Sequence, residues 1–173
     1  MNELKAVLAR KDSAVLALKA KVQDALLGFE NNGLTIEQKN GKVYVSLDES
    51  LLFASGKYDI EKKGKEALNS LGAVLEKNSD VNVLVEGHTD NVPYNGSGIL
   101  KDNWDLSVKR ATSVVKIILE KNDINAQRLT AAGRADYIPI ASNDTKEGRA
   151  ANRRTEIILT PKLDELMKLL ESN

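Results

Sequence analysis

Two charged side chains sit where charge is costly. In the stretch VNVLVEGHTDNVPYNGSGILKDNWDLSVKRATSVV, residues 81–115, an alternating run ends at Glu86 and a carboxylate, Asp90, follows four residues later. Further on, Leu106, Arg110, Val114 and Ile118 recur at intervals of four, so they share one face of a helix, and three of them are apolar. Arg110 therefore points toward a sheet rather than to water. A guanidinium there needs partners, because burying an unpaired charge is prohibitive.

Three chemistries fit these residues. Asp90 and Arg110 can close on each other as a structural ion pair. His88, the only histidine, stands two residues from Asp90, and both could ligate a metal; one His, no Cys and no third ligand at motif spacing weigh against it. The third is a clamp for a zwitterion, in which Asp90 takes an ammonium while Arg110 and the N–H groups of a helix N-terminus take a carboxylate. The place suits a ligand, since in α/β sheets ligands lie beyond the strand ends. Gly87 is expected to let the chain turn sharply out of the strand.

No catalytic arrangement competes with these readings. NGSG spaces its glycines too closely for a nucleophile elbow, and Gly96-x-Gly98 lacks the third glycine of a dinucleotide fingerprint. Asp102 and Asp105 read as helix cap and first-turn charge. The chain is read as a non-enzyme without cofactor or metal.

The elements that must position Asp90 and Arg110 follow from periodicity. Residues 2–29 form one helix, with Leu8, Val15, Val22 and Phe29 seven apart and Leu4, Leu18 and Ala25 between them. Such a narrow heptad stripe suits either a helix lying on the domain or, the favoured reading, the end of a coiled coil that joins copies of the chain. Asn40-Gly41 between alternating runs predicts a hairpin of residues 34–39 and 42–47. LLFASGKYDI reads as a connection, and a helix capped by Asp59 follows it. A strand over 81–86, a helix over 103–122, a strand ending at Gly133, a long polar loop, and a strand RRTEIILT complete the core. Pro161 is expected to open a short helix over 162–171. Strands separated by helices predict an α/β (α+β) sandwich, with helices on one face of a mixed sheet. The expected parts are the helix 1–30, a domain over 31–161 and the terminal helix 162–173.

Composition narrows the partners. Twenty-five basic and 25 acidic residues cancel, and aromatics make up only 4%, so neither a nucleic-acid footprint nor a base-stacking platform is present. No apolar run reaches the roughly 20 residues of a membrane span. No secretory signal is visible, so any membrane anchor is expected outside this sequence.

Thr89-Asp90, Asn103, Leu106-Ser107, Arg110-Ala111 and Val114 stand in the order T-D, variable loop, N-x-x-L-S-x-x-R-A-x-x-V. This pattern resembles the OmpA-like peptidoglycan-binding domain family, shared by outer-membrane protein A, the peptidoglycan-associated lipoprotein and the stator protein MotB. LLFASGKYDI and RLTAAGRADYIPIASNDTKEGRAANRRTEI are similar to the family's opening and closing sections, so the resemblance runs from about Leu34 to Thr160. The loop NVPYNGSGILKD is longer than in the shortest members and closer to the MotB type.

The resemblance implies a fold with a β-α-β-α-β-β core and binding of the peptidoglycan stem peptide at its diaminopimelate. Asp90 would hold the ammonium and Arg110 the carboxylate, with Thr89, Asn103 and the backbone around Leu106 completing the pocket. Arg153 and Arg154 read as structural ties, one of them a candidate lining residue. The resemblance also implies a periplasmic place in the cell envelope, attached to the outer membrane.

Overall fold

The computed structural model describes residues 2–96, 98–162, 164, 168, 171 and 172. A helix α1 (Asn2–Ala25) leads into the hairpin β1 (Leu34–Lys39) and β2 (Lys42–Asp48). A one-turn helix α2 (Glu49–Leu52), α3 (Lys62–Lys77), β3 (Val81–His88) and α4 (Asn103–Glu120) follow. Then come β4 (Leu129–Gly133), α5 (Lys146–Asn152) and β5 (Arg154–Pro161).

The five strands form one sheet in the order β1-β2-β5-β3-β4. Only β3 and β4 run parallel, joined by the crossover through α4, and every other pair is antiparallel. The hairpin turns at Asn40 and Gly41, both at positive φ, as a two-residue turn between twisted strands requires.

One face of the sheet carries the core. Val43, Val45 and Leu47 of β2, Val83 and Val85 of β3, and Ile157 and Leu159 of β5 alternate inward. Leu68, Leu71 and Leu75 of α3, and Ala111, Val114 and Ile118 of α4, pack on them from a single layer of helices. The mixed α/β sandwich is as the sequence predicts.

Helix α1 belongs to that layer. Val15, Leu18 and Val22 of the heptad stripe are buried, together with Leu26, whereas Leu4 and Leu8 are exposed. The spacing from Val15 to Leu26 is that of a straight helix on a domain surface, so the C-terminal part of the stripe is spent on the chain's own core.

Several boundaries differ from those expected. Helix α3 starts at Lys62, with Glu61 at its N-cap, so Asp59 caps nothing. The stretch expected as a connection begins with Leu51 and Leu52, the last two residues of α2. The long polar loop holds α5, whose Thr145 accepts a hydrogen bond from Gly148 N at 2.9 Å. Pro161 closes β5 opposite Val81, a strand-end position where a missing N–H is tolerated. The terminal helix expected over 162–171 falls mostly outside the described residues.

Gly87 is also corrected. It stays within β3, paired with Gly133 and Thr155, and makes no turn. A Cβ there would lie 2.2 Å from Ser107 O, and one on Gly133 would lie 2.7 Å from Val108 N. The two glycines let the first half of α4 rest directly on the sheet, which brings Asn103, Leu106 and Arg110 to the end of β3.

Candidate functional site

The end of β3 is fixed by hydrogen bonds within the chain. Thr89 N donates to Ala135 O at 2.8 Å, and the Thr89 hydroxyl donates to Asp90 O at 2.9 Å. Asp90 Oδ1 accepts from Val92 N at 3.0 Å, folding the start of the loop over its own carboxylate. Asn103 donates to Val92 O at 3.1 Å and to Asp90 O at 3.5 Å, so it ties the loop down rather than capping its helix. Asp102 is the cap: its Oδ1 accepts from Asp105 N at 2.9 Å, while Asp105 Oδ2 accepts from Lys101 N at 2.9 Å.

Asp90 and Arg110 are not paired with each other. Asp90 Oδ2 accepts from Arg153 Nη1 at 2.7 Å, and Arg153 also pairs with Glu49. The other oxygen of Glu49 accepts from Arg110 Nη2 at 2.7 Å. Arg110 Nε donates to Lys57 O at 2.9 Å, and the guanidinium lies 4.7 Å from the centre of the Phe53 ring. Arg110 is thus buried, 4% exposed, and held through Nε and Nη2. The result is an alternating row, Asp90–Arg153–Glu49–Arg110, with no net charge. Burial alone would lower the pKa of Arg153. The hydrogen bond to Asp90 and the negative charges of Glu49 and Asp90 outweigh it and hold the value above the ordinary one.

The row lines an open cleft of about 1020 Å³. All five residues singled out from sequence line it: Thr89, Asp90, Asn103, Leu106 and Arg110. Glu49, Lys146, Arg149 and Arg153 join them. Glu49 gave no signal in the sequence, because it meets Arg110 across 61 positions. Asp48 stands beside it in the lining, and burial raises its carboxyl pKa above the ordinary value.

Arg153 and Arg154 part company because neighbouring residues of an extended chain face opposite sides. Arg153 reaches Asp90 in the cleft. Arg154 lies on the other face of the sheet, where its Nε donates to Glu156 at 3.0 Å. His88 belongs to that second group, not to Asp90: its Nε2 lies 2.9 Å from Glu86 Oε1 and 3.7 Å from Glu156 Oε2. Burial, then the Arg154 charge, lower the His88 pKa, against the pull of Glu156 and Glu86. The ligand atoms of Glu86, His88 and Glu156 lie within 4.8 Å of one another. Arg154 and Arg134, the latter 3.5 Å from Glu86, already supply positive charge to this group. His88 and Asp90 thus belong to separate groups, His88 with Glu86 and Glu156 and Asp90 with Arg153.

Known proteins resemble this chain in sequence and fold. The model of the OmpA family matches residues 52–153. Motility protein B of Bacillus subtilis (strain 168) is 36% identical over 118 residues, which are 68% of this chain and 45% of that protein. The crystal structure of a MotB-like protein from Desulfovibrio vulgaris superposes with TM-score 0.80 at 24% identity, covering 92% of this chain and 99% of that one. The cell wall anchor of the T6SS from Pseudomonas aeruginosa gives TM-score 0.72 at 31% identity, covering 82% of this chain and 97% of that one. The chain spans about half the length of the first curated relatives it matches, 45% and 51% of them.

Proposed function

The chain belongs to the OmpA family, and on that premise we propose that it holds peptidoglycan non-covalently, by the diaminopimelate of the stem peptide. The observation that carries the reading is the alternating row of charges along the cleft. A zwitterionic end inserts into such a row by exchange of partners. Its ammonium takes the Asp90 carboxylate, releasing Arg153, and its carboxylate takes Arg153 and Arg110. Every charge is partnered before and after, so binding strands no ion in the protein. Thr89, Asn103 and Leu106 shape the wall against which the ligand's backbone lies.

Hydrogen bonds to charged groups contribute roughly 1.5–3 kcal/mol each, while immobilising a ligand costs roughly 4–15 kcal/mol. One clamp therefore binds modestly, and several on one polymeric wall bind firmly. Self-association through the N-terminal helix, where Leu4 and Leu8 are exposed, would supply that avidity. Similarity to a cell wall anchor and to a motility protein supports an anchoring role, including anchorage of a motor stator. The reading is of a binding module rather than an enzyme, placed in the periplasm and attached to the outer membrane. No helix among the described residues is long and apolar enough to cross a membrane.

The competing reading takes the row as purely structural, and its internal satisfaction favours that too. Co-sedimentation with purified sacculi separates the two. The parent pellets, and Asp90→Asn and Arg110→Lys stay in solution while each still melts cooperatively. Undiminished pelleting by both variants would leave the row with a structural role only.

A further inference from the structure

Trp104 is the only tryptophan of the chain, in a protein with few aromatic residues. It stands 48% exposed beside Tyr137, which is 66% exposed, with ring centroids 5.4 Å apart and planes inclined by 28°. Two large rings left wet forgo the burial that aromatic side chains ordinarily supply.

Their frame is built from the cleft itself. Asn103 and Leu106, which line the cleft, bracket Trp104 in the first turn of α4. Tyr137 N donates to Arg134 O at 3.2 Å, and Arg134 N donates to Gly87 O at 3.0 Å. Ala135 O takes the Thr89 N–H at 2.8 Å, and Ala135 N donates to Ser107 Oγ at 3.1 Å. Ser107 Oγ in turn donates to Trp104 O at 3.0 Å. Ala135 is buried and held at φ 49°, a left-handed conformation that residues with a Cβ adopt at a cost. Backbone strain is thus kept in the turn that presents Tyr137, and Ser107 locks that turn to the backbone of Trp104.

We propose that the Trp104–Tyr137 pair is a sugar platform, on which a pyranose of the glycan strand rests while the stem peptide occupies the cleft. The inference rests on the peptidoglycan reading. The apolar face of a pyranose presents C–H groups of partial positive charge, which suit the negative face of an aromatic ring. The stem peptide is covalently joined to a sugar, and an extended chain advances only about 3.3–3.6 Å per residue. A ligand seated in the cleft therefore carries a sugar within reach of neighbouring rings. Val108, one turn beyond Trp104, and Ile138, next to Tyr137, are also exposed. A second copy of the chain covering this face is the alternative occupant that the test must separate.

Because Trp104 is the only indole, its fluorescence reports on its own ring. The full chain is titrated with three probes: the free stem peptide, the disaccharide carrying that peptide, and glycan strands stripped of peptides. The disaccharide–peptide should shift the emission and bind about threefold to tenfold more tightly than the peptide alone. By calorimetry, Trp104→Ala and Tyr137→Ala should erase that difference and leave the affinity for free peptide unchanged, while Trp104→Phe retains most of it. Equal binding of the two peptide ligands, unaltered by these variants, overturns the platform even where Asp90→Asn abolishes peptide binding. Trp104-dependent binding of stripped glycan with no binding of free peptide keeps the platform and overturns the stem-peptide reading. An emission shift with protein concentration alone, together with a dimer that Trp104→Ala dissolves, assigns the face to a second copy and overturns the proposal.

Discussion

Glu49 is the residue on which the row of charges turns, and removing it tests the row directly. Its two oxygens hold Arg110 and Arg153 from opposite sides. In Glu49→Ala both guanidinium groups lose their shared counter-ion. Breaking a buried pair by deleting one partner costs roughly 3–5 kcal/mol, mostly from the charge left behind. Arg110, with its side chain 5% exposed, bears that cost, though it keeps Lys57 O and the Phe53 ring. Arg153 is one-third exposed, retains Asp90 and can turn to water, so its share is small. The loss should fall at the lower end, about 3 kcal/mol. For a chain of this size that lowers Tm by about 6–12 °C. Adding Arg110→Met removes the stranded charge, so the double variant should recover about 2 kcal/mol relative to the sum of the singles. Thermal and urea melts of the four proteins read out the cycle. A Glu49→Ala melt within about 2 °C of the parent, or strict additivity, would refute the claim that these charges form one coupled network.

Gly87→Ala places a Cβ 2.2 Å from a backbone oxygen of α4, so the helix must lift; about 1–3 kcal/mol should be lost on urea unfolding. Gly28→Ala, with nothing within 4 Å of the added carbon, is the control expected to stay within about 0.5 kcal/mol. His88 governs a pH dependence whose sign follows from its lowered pKa. Between that folded value and the ordinary 6.5, the unfolded chain binds more protons than the folded one. Stability therefore falls as pH drops below about 6.5, as a buried neutral imidazole among Glu86, Glu156 and Arg154 is forced to charge. Urea midpoints at descending pH should show this decline, and His88→Gln should flatten it; equal slopes in both proteins would count against the assignment.

How much of this was legible beforehand differs between fold and site. The hairpin at Asn40-Gly41 was legible because a two-residue turn needs positive φ at both positions and these residues tolerate it. The inward face of α4 was legible because a spacing of four repeats on one side of a helix. Helix α5 was missed because its seven residues carry only Gly148 and Asn152 inward, too few for an apolar period. Its Thr145 cap was the one available sign. In α1 the heptad count and the helical count agree at Val15, Leu18 and Val22, so periodicity could not decide what those residues pack against.

By itself the sequence determined the alternation of strands and helices, and that Asp90, Asn103, Leu106 and Arg110 gather at one sheet end, because periodicity and motif spacing are local properties. The partners of those charges were decided by tertiary structure alone. Glu49 meets Arg110 across 61 positions, and Arg153 meets Asp90 across 63. Sequence spacing carries no record of a salt bridge at such range. Which of the adjacent Arg153 and Arg154 enters the cleft depends on the face each presents once β5 is seated between β2 and β3. The same seating turns His88 away from Asp90, since the sheet stands between their partners.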